Sequence, residues 1–175
     1  MRYFAVMLAV VLASTLSAAE LRIDLSGIND TTLKPVSASE GASLSQASWR
    51  GKLKDRHLSC TVKATKEWKK YSFSFVAKKD GKCVLFLMGT DKKNFFFCDN
   101  LTASGVEIKN GNFEQLNSKG EPSGWYKTKK PRFSTSDGVD GSNCAITNHD
   151  DRWNQIIICK KGEVATITFY ARSAK

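Results

Sequence analysis

The stretch that decides the fold is "EWKKYSFSFVAKKDGKCVLFLMGTDKKNFFFCDNLTASG", Glu67 to Gly105. Tyr71, Phe73 and Phe75 fall on one side of an extended chain, with Ser72, Ser74 and Val76 on the other. A period of two is the mark of a half-buried strand. "KKDGK" (Lys78 to Lys82) follows with Asp-Gly, the dipeptide of tight hairpin turns, which predicts that "CVLFLMG" returns antiparallel beside the first strand. A second turn is expected at Asp91–Asn94, followed by another strand in "FFFCDNLTASGVEI".

The same grammar extends outward. Upstream, "LRIDL" (Leu21 to Leu25) alternates apolar and charged residues, and "HLSCTVKA" alternates in turn. "SGINDTTLKPVSASEG" (Ser26 to Gly41) is rich in turn formers and reads as a loop, and "ASLSQASW" carries a short strand anchored by Leu44. Downstream come "PRFSTSD", the turn "DGVDGSN", the strand "CAITN" and the polar loop "HDDRW". Two further strands flank Lys161–Gly162 in "NQIIICKKGEVATITFYARS". No segment carries a helical stripe longer than a turn or two. Many short strands with regularly spaced turns predict an all-β chain, an antiparallel β-sandwich or barrel.

The N-terminus is set aside from the fold. Arg2, the apolar run "YFAVMLAVVLASTL" and the small residues "SAA" before Glu20 have the layout of a signal peptide cleaved near Ala19. The apolar run is shorter than the ~20 residues needed to span a bilayer, so no membrane anchor is expected. The expectation is therefore a secreted chain, extracellular or periplasmic, with residues 20–175 forming one domain. That length suits one sizeable core.

The 27 Lys and Arg outnumber the 17 Asp and Glu, for a net charge of +10. Loss of Arg2 leaves about +9, a balance that favours anionic polymers such as acidic polysaccharide or cell envelope. The lysines are scattered along alternating strands, so a solvated face explains most of them, and no specific nucleic-acid partner is expected. Five cysteines (Cys60, Cys83, Cys98, Cys144, Cys159) lack Cys-x-x-Cys spacing, which argues against a zinc site. The last four lie in strand-like runs and are either small buried apolar residues or two cross-strand disulfides. A count of free thiols under denaturing conditions separates these: five excludes any bridge, one supports two.

Enzyme signatures are scarce. No Gly-x-Ser-x-Gly, His-Glu-x-x-His, phosphate-binding loop or dinucleotide glycine pattern occurs. His57 and His149 lie far apart, and the acidic pairs Asp137/Asp140 and Asp150/Asp151 sit among turn formers. No catalytic residue is assigned.

Between Asn110 and Trp125 runs "NGNFEQLNSKGEPSGW". It is followed in order by "DGSNCAITN", "WNQIIICKKG" and "ATITFYARSAK". This series resembles the first half of jelly-roll carbohydrate-binding modules of the cellulose- and xylan-binding type, with a galactose-binding-like fold. Such modules open on Asn-Gly-Asp/Asn-Phe-Glu and Gly-x-Pro-x-Gly-Trp. Their second half resembles what lies upstream here, Glu67 to Gly105. The order thus looks circularly permuted, with a seam near 105–112. The alternative is the tail of one module joined to the head of another. Physics favours one permuted domain, because two half-sandwiches would each expose an inner face and open edges.

The resemblance implies a non-catalytic module that binds polysaccharide or glycan, acting as a monomer. Expected carbohydrate contacts are Trp153 with Arg152 and Asp150 in an exposed loop "NHDDRWNQ", and Tyr126 with Trp125 after the glycine. Trp49, Trp68 and Gln155 are further candidates, with Trp125 and Trp68 at positions that such modules tend to pack. It also implies a structural calcium held by Glu114 and Asp99, since carboxylate oxygens suit this hard cation. A rival from another class is an envelope or matrix adhesion sandwich that binds protein or anionic polymer.

Overall fold

The computed structural model describes residues 20–46 and 54–174. Residues 1–19, where a signal peptide is expected, and Trp49 fall outside them. The chain is all-β, and the described residues form twelve strands: β1 (Glu20–Gly27), β2 (Leu33–Ala38), β3 (Ala42–Ser45), β4 (His57–Lys63), β5 (Lys69–Ala77) and β6 (Gly81–Gly89), then β7 (Phe96–Ser104), β8 (Tyr126–Thr128), β9 (Arg132–Ser134), β10 (Cys144–Thr147), β11 (Arg152–Cys159) and β12 (Val164–Ser173). They form two six-stranded antiparallel sheets packed face to face. The first has the order β3-β4-β1-β6-β11-β8, the second β2-β5-β12-β7-β10-β9.

Alternation places one core between them. From the first sheet come Leu21, Ile23 and Leu25 of β1, Leu58, Cys60 and Val62 of β4, and Cys83, Leu85 and Leu87 of β6, all buried. From the second come Tyr71, Phe73 and Phe75 of β5, Phe96 and Cys98 of β7, and Ala165, Ile167, Phe169 and Ala171 of β12. Phe169 ties the second sheet's aromatics together, stacked on Tyr71 at 5.8 Å and edge-on to Phe73 at 6.5 Å. Strands from the beginning, middle and end of the chain share this core, which is why the halves on either side of residue 110 are not separate sandwiches.

The Asp-Gly turn does not make a hairpin. β5 pairs with β2 and β12, whereas β6 pairs with β1 and β11, so Lys78–Lys82 carries the chain from one sheet to the other. A tight hairpin turn of this kind needs positive φ at its central residues, and neither Asp80 nor Gly81 adopts it. Gly81 is required for space instead: a Cβ there would lie 1.9 Å from Oγ1 of the buried Thr31. The chain likewise changes sheets at Lys161–Gly162, between β11 and β12.

The stretch 26–41 is not all loop. β2 forms within it because only Leu33 needs burial, and Pro35 is tolerated where the strand borders solvent at the sheet edge. "NGNFE" is a turn rather than a strand. Asn110 and Phe113 take left-handed φ of 48° and 59°. Gly111 lies so close to β7 that a Cβ would meet the Leu101 carbonyl oxygen at 1.9 Å. The Leu101 amide donates to the Gly111 carbonyl at 2.9 Å, which fastens the turn to the strand.

Candidate functional site

The outer face of the first sheet brings polar and aromatic side chains into rows set by strand register. Ser45 lies opposite Ser59, Ser59 opposite Asp24, Asp24 opposite Phe86, Phe86 opposite Asn154, and Asn154 opposite Tyr126. Because alternation turns Leu58, Leu85 and Trp153 inward, each residue of this row points away from the core. The next row contains Thr61, Arg22 and Met88, and Arg152 faces Thr128 at its β8 end.

Some of these outward residues are deeply set. Asp24 is 7% exposed and Asn154 8%, whereas Tyr126 at the margin is 65% exposed. Arg22 bridges the row, its Nε donating to Asp24 Oδ1 at 2.7 Å and its Nη2 to Ser59 Oγ at 2.8 Å. Asn154 Nδ2 donates to Thr128 Oγ1 at 2.7 Å. That leaves Asn154 Oδ1 and Arg152 Nε, both buried, without a hydrogen-bond partner among the described residues. The Arg152 guanidinium sits 5.8 Å from the centre of the Phe86 ring. An acceptor and a donor are thus unmet, two residues apart on one strand and beside an aromatic ring. An unpaired buried polar group costs about 1–3 kcal/mol, which a ligand can recover.

At the β8 edge the face continues into a cavity of about 370 Å³ lined by Asn117, Glu121, Trp125, Tyr126 and Lys127. Farther along the same face the outward residues include apolar ones, Val84, Phe86 and Met88 on β6 and, beyond Asn154 on β11, Ile156 and Ile158, which are 49% and 65% exposed.

The carbohydrate residues expected from the sequence divide. Arg152 and Tyr126 stand on this face together. Trp153 does not join them: it is 1% exposed, and its Nε1 donates to the Arg132 carbonyl at 2.8 Å. The polar loop ends at Asp151 and β11 begins at Arg152, so the next residue in the alternation points into the core. Trp125 is also packed inside, 6% exposed and 5.1 Å from the Phe113 ring, with its Nε1 donating to Asn110 O, although it lines the cavity. Asp150 lies in the loop before β11, where Lys129 and Lys92 pair with Oδ2 and His149 Nδ1 meets Oδ1. The hydrogen bond from Lys129, followed by that from His149, holds its carboxyl well below the usual range. Gln155 points inward, accepting from the Lys109 amide and donating to the carbonyls of Lys109 and Gly124. Trp68 packs edge-on to Phe97 at 6.5 Å, under Arg172.

Phe86, Asn154, Asp24 and Arg22 were missed. Phe86 alone had a signal, the absence of alternation in "CVLFLMG": in a two-layer sandwich, a strand that is apolar on both sides leaves one apolar side facing outward.

Asp99 and Glu114 are brought near one another on either side of the loop 138–143. Asp99 Oδ1 accepts from the Asn100 amide at 2.6 Å, and Oδ2 accepts from the Val139 amide and the Ser142 hydroxyl at 2.9 and 3.0 Å. Glu114 Oε1 accepts from the Asn143 amide at 2.8 Å. Burial pushes the Asp99 carboxyl up, these hydrogen bonds pull it back, and the charge of Glu114 adds a smaller upward push. In charge and hardness the pair suits calcium, but it supplies only two of the six or more ligands needed. Among the described residues no cluster of three or more His, Cys, Asp or Glu could hold a metal. No described helix is long and apolar enough to cross a membrane.

Comparison with protein-family models, with characterised proteins and with solved structures finds no match to this chain.

Proposed function

We propose that the protein is a non-catalytic carbohydrate-binding module that holds glycan on the outer face of its first sheet. The observation that carries this reading is the unmet pair Asn154 Oδ1 and Arg152 Nε beside Phe86. A sugar hydroxyl is both donor and acceptor, so neighbouring hydroxyls of one pyranose can satisfy both atoms once the side chains that cover them turn aside. The apolar face of the ring would lie on Phe86, with Tyr126 as a second stacking surface at the edge. Arg22 and Asp24, locked to each other and to Ser59, present an oriented polar array without needing to reorder on binding.

The loop containing Asp150 and the core residue Trp153 drop out of the proposed contact set, which becomes Arg152, Asn154, Phe86 and Tyr126. Calcium at Asp99 and Glu114 is a separate proposal, supported by the like-charge repulsion that a cation would relieve. The test of glycan binding is retention on a panel of immobilised neutral and acidic polysaccharides. Asn154→Ala and Arg152→Ala are each expected to weaken retention about tenfold, the scale of one lost buried polar contact. A panel with no hits, together with salt-sensitive binding to an acidic polymer that is not a carbohydrate, overturns this reading in favour of an adhesion sandwich.

A further inference from the structure

All five cysteines are buried and free in this structure. They are not equivalent. Cys83 opens the core-facing row of β6 and Cys159 closes that of β11, the neighbouring strand in the first sheet. Register places Cys83 opposite Ile157 and Cys159 opposite Gly81, so the two thiols are diagonal neighbours on the same inner face. Their sulfurs are 3.6 Å apart, in contact within the core. Cys98 pairs across strands with Ala145, which turns Cys144, one residue away, to the other face of the second sheet. That geometry separates Cys98 from Cys144 despite their closeness along the strands. Cys60 lies on β4, with β1 between it and β6. Burial pushes the thiols of Cys60 and Cys144 up to about 12, and Cys83 is pushed up as well, first by its contact with Cys159, so geometry and not thiol acidity sets the pair apart.

We propose that Cys83 and Cys159 form the chain's single disulfide, closed during folding by a disulfide-bearing oxidant. One thiol of the pair loses its proton and attacks a sulfur of the donor disulfide, giving a mixed disulfide and releasing one donor thiol. The second then loses its proton and attacks the protein sulfur of that mixed disulfide, releasing the other donor thiol. The two cysteines are oxidised by two electrons in all, and the donor disulfide is reduced to two thiols. Bonding brings the sulfurs from 3.6 Å to the ~2.05 Å of a disulfide, which a diagonal pair reaches by a small shift of β6 against β11. In the folded chain neither sulfur is reachable, with Cys83 at 0% and Cys159 at 2% exposure, so the exchange belongs to the stage before the sandwich closes. The bond would join positions 76 residues apart, a span over which a cross-link strongly restricts the unfolded chain.

The test is peptide mapping of the full chain after reduction, denaturation and refolding in a buffer of oxidised and reduced glutathione, with alkylation in denaturant. The expected product is a linked peptide pair containing Cys83 and Cys159, with Cys60, Cys98 and Cys144 alkylated. Its melting temperature should exceed that of the reduced, fully alkylatable protein by roughly 10 °C. The same buffer added to already folded reduced protein should form the bond at least about tenfold more slowly, since exchange must wait for opening. Five alkylated cysteines after oxidative refolding, or a bond joining any other pair, overturns the proposal. Equal rates from the folded and unfolded states overturn its assignment to folding.

Discussion

Trp153 and Asn154 are neighbours that point to opposite sides of β11, one into the core and the other into the candidate glycan face. The two sides predict different losses. Trp153→Ala empties a fully buried site and is expected to cost about 3–5 kcal/mol of stability, read as a fall in denaturation midpoint. Tyr126→Ala removes a side chain that is 65% exposed, so its effect on stability should stay within about 0.5 kcal/mol while glycan retention falls. A Tyr126→Ala protein that melts early but binds normally would argue against the face. His57, opposite Ser26 on the same side of the sheet, adds a pH signature. Burial holds its imidazole below the ordinary 6.5, opposed by the charge of Asp24 and helped by that of Arg22. A depressed folded value means the contribution is present above pH 6.5 and is lost as pH falls through the folded value. Melting curves between pH 8 and 5 should therefore decline less steeply for His57→Gln than for the natural chain.

At the scale of elements, alternation was enough to find most strands, because Leu21/Ile23/Leu25 and Tyr71/Phe73/Phe75 carry their period in plain view. It did not tell which strand lies beside which. Asp80–Gly81 has hairpin chemistry, yet the turn joins sheets, since β5 is already flanked by β2 and β12. β2 was hidden because an edge strand with a single inward anchor, Leu33, has almost no period to see. The turn at "NGNFE" was recognisable as a motif, but the reason for its glycine lies in the close passage of β7. Gly111→Ala should therefore cost about 1–3 kcal/mol, the scale of an overpacked site, because a backbone carbonyl cannot move aside. Gly111 has no left-handed φ, so this cost would come from the close approach alone. If Gly111→Ala leaves the denaturation midpoint unchanged, the close approach is not what selects glycine there.

For the whole molecule, one core shared by strands from 20 to 173 predicts one cooperative unfolding transition, with the same midpoint by tryptophan fluorescence and by far-ultraviolet circular dichroism. Two separated transitions would mean the halves fold independently. Adding calcium should raise that midpoint relative to a chelator if Asp99 and Glu114 hold the ion; an unchanged midpoint rejects calcium there. The sequence by itself determined the all-β class and the inward residues of the long strands, because both depend on a period of two that is local to each segment. It also supplied Arg152 and Tyr126 as site candidates. Only the tertiary structure decided that Trp153 is core, that Phe86 and Asn154 share a face with them, and that Cys83 meets Cys159. Those facts depend on where β11 begins and which strand lies next to it, and pairing across long separations leaves no mark in the residues between.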